Sequence, residues 1–486
     1  MTILLNIQSF NDDSLYNEII NISLNKSISN IFLVSSLMHD LEENTIKKYE
    51  KIKNVKYIYT NSLFTSTYFS NVTFETLNVT EQNGIYTDIL SSFRWMPVSK
   101  RNENDSFSFA MTIHYDVYNF WNIFFDKNKV DSIISLQAEH SSCDKILIEV
   151  AREKGVENIL TTIISGWQAN INEEYFSIYD NIRSTALDLK NYKDESVLSN
   201  KYDYNAVQNH SNKYTVSKLN NLFLILNKVK ILLKTSDSYA SKINILKSKL
   251  IDKLYTKISL YSQLRYIGKL RNYYQDISLN EINIENKYIY YCLHFDPEAT
   301  TLPKDTVFSN QLLNIRIISS ALPKGWKLYV KEHPHQLNTD LYKNIFLNQL
   351  HAIDIFRSKS FYTYINQLNN VHLVSLDIEH KQLIQNAEYI VSNTGTVFRE
   401  ATNMKKQCIT FSKKSIYNFL NNVYCVENCK DCEDIFDSNN IVKYESIDEL
   451  FNRYTISITD IDNRASILLK FIISKKLYKE LNDIKN

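Results

Sequence analysis

Proline and glycine are nearly missing from this chain. Its 486 residues include five prolines and six glycines. Rigid or specially shaped backbone is therefore rare, and informative where it occurs. Pro297, Pro303, Pro323 and Pro334 fall within one short stretch, which also holds Gly325. Proline fixes φ and removes a backbone donor, so this stretch is pre-organised. Rigidly held loops are where binding and catalysis concentrate. The stretch ends in Lys331-Glu332-His333-Pro334, at the end of an expected strand. The chemistry is expected there.

Long apolar runs are also missing. The longest, Leu222 to Leu226, is far short of the ~20 residues that span a bilayer. The start, MTILLNIQSF, lacks the basic region and long apolar core of a secretory signal. A soluble, cytoplasmic protein is expected. No charge of one sign dominates: the net charge is +1, which gives no signal for nucleic acid. Cysteine is sparse, at positions 143, 292, 408, 425, 429 and 432. The last three have a Cys-x3-Cys-x2-Cys spacing, but they follow a late strand and have no fourth ligand for zinc. Free thiols are expected. Asp460 and Asp462 are spaced like a metal-binding acid pair, but they sit in the tail and read as a helix start. No metal site is expected.

What is present is alternation of strand-like and helix-like segments. In residues 1–170, short β-branched runs at Ile3–Ile7, Ile31–Val34, Val55–Tyr59, Asp131–Leu136 and Ile159–Ile164 alternate with helical stretches. The longest of these runs from Asp105 to Asp126, and another covers Ser141–Lys154 before Gly155. This pattern predicts a parallel sheet with helices on both faces. Strand signals fade over 171–284, which reads as a helical connector or insertion. Between Lys201 and Gln275 there are 14 Lys or Arg against 3 Asp. That basic stretch reads either as a solvated connector or as a surface for anionic lipid or glycan, with Leu222–Leu233 as its amphipathic element. Alternation resumes over 285–440, with strands at Tyr288–Leu293, Leu328–Lys331, Val371–Ser375, Tyr389–Ser392, Cys408–Phe411 and Val423–Val426. A helix is expected over Asn310–Leu322, stopped by Pro323-Lys-Gly. Residues 441–486 read as mostly helical. The fold class is thus α/β, with two Rossmann-like doubly wound domains facing a cleft.

Three elements carry the chemistry. The first, HFDPEATT from His294 to Thr301, follows the first strand of the second domain. Ligands of open α/β sheets bind outside the carboxyl ends of strands, which places His294 and Glu298 at the site. A loop with a capping Thr is the competing reading. The second element is Lys331-Glu332-His333-Pro334 at the next strand end. A His held by a following Pro can donate to a phosphate oxygen as negative charge develops on a leaving nucleotide. A plain strand-end turn is the alternative. The third is Ser392-Asn393-Thr394-Gly395-Thr396, followed by a helix that contains Glu400. Small hydroxyls, glycine and a helix start suit an anion, and an acidic residue there suits ribose hydroxyls. Simple helix capping competes with that reading.

Together, LHFDPEATT (293–301), Gln311, LPKGWKLYVKEHP (322–334) and SNTGTVFREA (392–401) resemble bacterial surface-carbohydrate biosynthesis proteins. That group is similar to capsule-type Kdo transferases and, more distantly, to GT-B sialyltransferases. The resemblance covers about 285–412, is weak over 131–170 and is absent over 171–280. It implies a GT-B glycosyltransferase that moves a Kdo or sialic-acid-like sugar from a CMP donor to a bacterial surface glycan. It further implies that His333, Ser392 and Thr394 hold the CMP phosphate, with Glu400 towards the ribose. Lys331, Pro334, Asn393, Gly395 and Thr396 complete the expected donor site. Beyond the CMP-sugar substrate no cofactor is expected. A single phosphate needs less charge neutralisation than a diphosphate, so His, hydroxyls and a helix end suffice without a metal. The catalytic base should come from the first domain, where Glu139 and His140 follow a strand; a helix cap is their competing role. The expected partners are the nucleotide-sugar donor, a glycan or glycolipid acceptor and, through 201–275, an anionic membrane surface at the inner face of the plasma membrane. A CDP-glycerol-type glycerophosphotransferase and a non-catalytic GT-B assembly partner remain alternatives.

Overall fold

The computed structural model describes residues 1–7, 13–35, 43–58, 107–136, 142–170, 173–180, 185–190, 192, 261–296, 301, 305–339, 353–438, 442, 444–458, 460 and 463–473. Glu139, His140, Pro297, Glu298, Pro303 and the basic residues 201–260 lie outside them.

Two sheets organise these residues. The first half of the chain supplies β1 (Thr2–Ile7), β2 (Asn30–Ser35), β3 (Val55–Ile58), β4 (Ser132–Ser135), β5 (Asn158–Asn170), β6 (Glu173–Asp180) and β7 (Thr185–Ala186). The second half supplies β8 (Tyr288–Cys292), β9 (Lys327–Lys331), β10 (Val371–Leu373), β11 (Tyr389–Val391), β12 (Gln407–Thr410) and β13 (Val423–Cys425), and then β14 (Thr455–Ile458). The second sheet has six strands in the order β10-β9-β8-β11-β12-β13. All its pairings are parallel. That is the strand order of the doubly wound nucleotide-binding fold, and it reverses between β8 and β11. The first sheet runs β3-β2-β1-β4-β5 in parallel and reverses between β1 and β4.

Burial explains why these runs become strands. All six residues of β1 are buried, as expected for a parallel strand covered on both faces. In β8 the faces divide cleanly. Ile289 and Tyr291 enter one core cluster with Ile315, Ile318 and Tyr362. Tyr288 and Tyr290 enter the other, with Leu383, Val397 and Phe398. The expected helix after Asn310 spans Gln311–Ala321, and the Asn310 side chain caps it by accepting from Leu312 and Leu313 N–H. Gly325 stands at φ +86 in the turn beyond it, a conformation that only glycine adopts without strain.

Two expectations about the segment boundaries change. The stretch 171–284 was expected to be a helical connector, yet β6 and β7 lie inside it and belong to the first sheet. The tail 441–486 was expected to be mostly helical, yet β14 pairs antiparallel with β6 and so joins the first sheet as well. Helices do flank it, at Ile447–Tyr454 and Arg464–Ile473. The physical reason lies in tyrosine. In β6, Phe176 and Ile178 enter the first sheet's core, while Tyr175 and Tyr179 are buried in a cluster with Tyr417, Leu420, Leu450 and Phe451 of the second half. Tyrosine thus fills the buried positions on one face of a polar-looking strand. The helical stretch 261–277 also leaves the connector. Its Ile267, Leu270 and Tyr274 pack into the second sheet's core. Among the described residues no helix is long and apolar enough to cross a membrane.

Candidate functional site

The loops after β8, β9 and β11 meet at the carboxyl edge of the second sheet, beside its strand-order reversal. Beneath them lies a buried polar network centred on Arg357, which is 1% exposed. Its Nε donates to Glu332 Oε2 at 2.6 Å and its Nη1 to Asp296 Oδ2 at 2.7 Å. Its Nη2 donates to the His294 carbonyl at 3.1 Å. Tyr362 Oη adds a 2.7 Å bond to Glu332 Oε2. Gln336 ties the two loops together: the Asp296 N–H donates to its Oε1, and its Nε2 donates to the Asp296 carbonyl. Gln311 does the same work from its helix, accepting from His294 N–H and donating to Asp296 Oδ2. Burying these ions is costly unless every partner is in place, and here the partners are supplied by four separate elements. Desolvation pushes the Asp296 carboxyl up, but His294 and Arg357 outweigh it and bring it down to about 2. For Arg357 the two carboxylates outweigh burial and raise the guanidinium above its usual range.

That network presents His333. The peptide N–H of His333 donates to Glu332 Oε1 at 2.7 Å, and Pro334 begins a turn closed by Gln336 N–H on the His333 carbonyl. The His335 N–H donates to His333 Nδ1 at 3.2 Å. An Nδ1 that accepts leaves the proton of the neutral ring on Nε2, which is thereby a donor. Burial and then the neighbouring His335, His294, Arg357 and His380 lower the His333 pKa to about 3. The ring is neutral at physiological pH. Glu332, an unassigned residue of the same tetrapeptide, orders this loop from below; its neighbour Lys331 instead turns inward and donates to the Ile378 carbonyl. Lys331 is thus a tether whose burial lowers its own pKa.

The reversal between β8 and β11 is flanked by orphaned polar groups. Ser392 is 1% exposed and its Oγ has no hydrogen-bond partner among the described residues. His294 is 4% exposed; its Nε2 lies 3.3 Å from Asp296 Oδ1, but neither ring nitrogen makes a well-formed hydrogen bond among the described residues. Buried polar groups are rarely left unpaired except where a ligand or water completes them. Asn393, by contrast, is spent inside the protein. Its Nδ2 donates to Asp305 Oδ2 and the Phe308 carbonyl, and its Oδ1 accepts from Asn314. It therefore locks the loop 305–310 against β11. Gly395 has no positive φ; a Cβ there would lie 3.1 Å from Ser392 Oγ, so any larger residue would press the serine to shift. Thr396 is exposed and makes no cap bond, and Thr394 is half-buried. The helix Val397–Asn403 that follows has only seven residues, so side chains rather than a helix dipole must supply most of an anion site here.

One site residue was not singled out in the sequence. His380 begins the helix His380–Asn386, and its Nδ1 lies 2.9 Å from the buried Tyr290 Oη. Its Nε2 lies 3.6 Å from Glu400 Oε2. No local motif marks His380; only the crossover from β10 to β11 brings it beside Glu400. Burial, helped by Lys331, lowers its pKa to about 4, and burial raises that of Glu400. In the first sheet, Glu139 and His140 follow β4 but lie outside the described residues. Next to that segment, Asn6 Nδ2 donates to both Ser135 Oγ and Asp144 Oδ1 at 3.1 Å, at the first sheet's own reversal. Of the described cysteines, Cys425 is exposed, Cys429 half-buried and Cys432 buried, and all are free.

Compared with known proteins, the chain matches no family model and no curated sequence. Among solved structures it is matched to the UDP-GlcNAc 2-epimerase of Methanocaldococcus jannaschii, at 12% identity over 93% of this chain and 98% of that one, with a TM-score of 0.25. It is also matched to two KpsC structures of Thermosulfurimonas dismutans. The beta Kdo 2,7 transferase has 10% identity, covers 73% of this chain and 89% of that one, and has a TM-score of 0.27. The beta Kdo 2,4 transferase has 11% identity, covers 69% and 87%, and has a TM-score of 0.29. At such identities and scores these likenesses transfer no function; the description of the two sheets rests on the chain's own strand order.

Proposed function

We propose that this protein is a GT-B-type glycosyltransferase that moves an acidic sugar, Kdo or a sialic-acid-like nonulosonate, from CMP to a hydroxyl of a bacterial surface glycan. The observation that carries the reading is the buried Ser392 Oγ, which has no hydrogen-bond partner among the described residues, together with the buried His294 ring, beside the strand-order reversal. They stand with the neutral Nε2 donor of His333 at the edge where such folds bind nucleotides. In this reading His333 and Ser392 donate to the phosphate of the donor, and Thr394 assists. As the bond from the sugar carbon to the phosphate oxygen breaks, that oxygen gains charge. Neutral donors already aimed at it gain strength in the transition state without reorganising. The single guanidinium of Arg357 below is taken up by the two carboxylates that flank it, so the network offers no surplus positive charge to a ligand, which suits one phosphate better than two. Glu139 or His140 takes the proton of the acceptor hydroxyl, and the reaction proceeds without a metal in this scheme.

The test is calorimetric binding of CMP, CDP, UMP, UDP and GDP to the whole chain, repeated with His333→Ala. CMP is expected to bind best. Loss of one hydrogen bond to a charged group, about 1.5–3 kcal/mol, corresponds to roughly 10- to 100-fold weaker CMP binding in the variant. Tighter binding of UDP than of CMP overturns the donor assignment.

A further inference from the structure

The buried hydroxyl of Tyr290, the imidazole of His380 and the carboxylate of Glu400 lie in sequence from the second sheet outward. Tyr290 is fully buried in β8, and its ring meets the His380 ring edge-on at a centroid distance of 5.6 Å. Burial holds the Tyr290 phenol protonated, and in the tautomer this inference requires its O–H donates to His380 Nδ1 across the 2.9 Å contact. A neutral His that accepts at Nδ1 carries its proton at Nε2. That Nε2–H faces Glu400 Oε2 at 3.6 Å, beyond a hydrogen bond but close enough to attract the carboxylate. Among the described residues the Glu400 side chain has no hydrogen bond of its own. Both of its oxygens therefore stay free to accept, and both side chains are part-exposed, at 33% for His380 and 27% for Glu400. Lys331 from β9, Lys381 from the helix of His380, Arg399 from the helix of Glu400 and Cys292 from β8 are the other ionisable groups felt in this cluster.

We propose that Tyr290 and His380 are positioning residues that hold the Glu400 carboxylate for the vicinal hydroxyls of a ribose. The inference rests on the nucleotide-donor reading above and deepens it. A carboxylate is acceptor-only, and a 2′,3′-diol offers two O–H donors within one carboxylate's reach. Without the imidazole, the half-exposed carboxylate is free to swing towards solvent or towards Arg399 and Lys381. The Tyr–His pair thus makes the site select ribose over deoxyribose, while the phosphate is held independently by His333 and Ser392.

The experiment measures dissociation constants of CMP and 2′-deoxy-CMP by calorimetry at one neutral pH. The proteins are the whole wild-type chain and the variants Tyr290→Phe, His380→Leu, His380→Gln and Glu400→Gln. The wild type is expected to prefer CMP by roughly tenfold, the worth of one good hydrogen bond. Glu400→Gln, His380→Leu and Tyr290→Phe narrow that preference severalfold, chiefly through weaker CMP binding, and His380→Gln restores part of it. Tyr290→Phe removes one oxygen and keeps the packing, so it carries the test even if His380→Leu fails to fold. An undiminished preference in Tyr290→Phe and His380→Leu overturns the inference alone, as does a wild type that binds both nucleotides equally. A wild type that binds neither nucleotide overturns the donor reading and this inference with it.

Discussion

His333 shows how a short sequence signal acquires chemistry from its surroundings. The dipeptide His-Pro was legible, and so was its place at a strand end. The ring's tautomer was not, because it depends on the His335 N–H two residues on, and its neutrality depends first on burial and then on His335, His294, Arg357 and His380. The depressed pKa values of His333 and His380, about 3 and about 4, set a direction for acid stability. Unfolded, both rings take up protons near pH 6.5. Between that pH and their folded values the unfolded chain binds more protons, so stability falls as pH drops from about 6.5 through 4 and 3. Denaturant midpoints measured across this range should fall accordingly, and less steeply in His333→Gln. Gly395 gives a second prediction at this scale. In the sequence it reads as part of an anion-binding turn; in the structure a side chain there would crowd Ser392 Oγ. Gly395→Ala should cost about 1–3 kcal/mol or less through local overpacking, and should weaken CMP binding because Ser392 must yield. Retained CMP affinity in that variant would separate Ser392 from the phosphate.

At the scale of elements, the strands with continuous buried runs were legible, because parallel strands covered on both faces read as plain apolar segments. The strands β6 and β14 were not. Their buried positions are filled by Tyr175, Tyr179, Thr455 and Ser457 as well as by Phe and Ile, so the pattern looks polar. The network that aims the site was equally invisible, since Arg357 carries no motif and sits in an unremarkable stretch before the helix Lys359–Gln367. Arg357 joins the loops after β8 and β9 through ions that cannot be left unpaired. Arg357→Ala should destabilise the chain by about 3–5 kcal/mol, because Glu332 is then buried without a counter-charge and Asp296 keeps only His294 beside it. Tyr362→Phe should cost only about 1 kcal/mol, since Glu332 keeps its other partners. Equal losses in the two variants, measured by chemical denaturation, would contradict this ranking.

Across the whole molecule, the alternation of strand and helix announced two sheets built on parallel strands, though the first also carries antiparallel pairings through β6, β7 and β14. It did not announce how the chain is shared between them, because pairing partners distant in sequence leave no local trace. The first sheet borrows β14 from beyond the second sheet, and the second sheet's core borrows the helical stretch 261–277 from the presumed connector. Ile456 of β14 is 1% exposed and packs into the first sheet's core with Phe176, Ile178 and Leu189. Ile456→Asp should therefore destabilise the first sheet by several kcal/mol, on the order of 3 or more for an unpaired buried charge. Hydrogen exchange should show the loss in β5 and β6 rather than in β8 to β13; equal loss in both sheets would show that they unfold as one unit.

The late arrival of β14 has a consequence during synthesis. The ribosome releases β1 to β6 long before the strand that covers the outer edge of β6, with the entire second sheet made in between. Throughout that interval β6 presents unpaired backbone groups, together with Tyr175 and Tyr179, whose burial also awaits residues from the second half. The nascent first sheet is thus an open template for strand pairing with other chains. Vectorial folding from the amino terminus cannot finish it, so the first-made unit is the last to be completed.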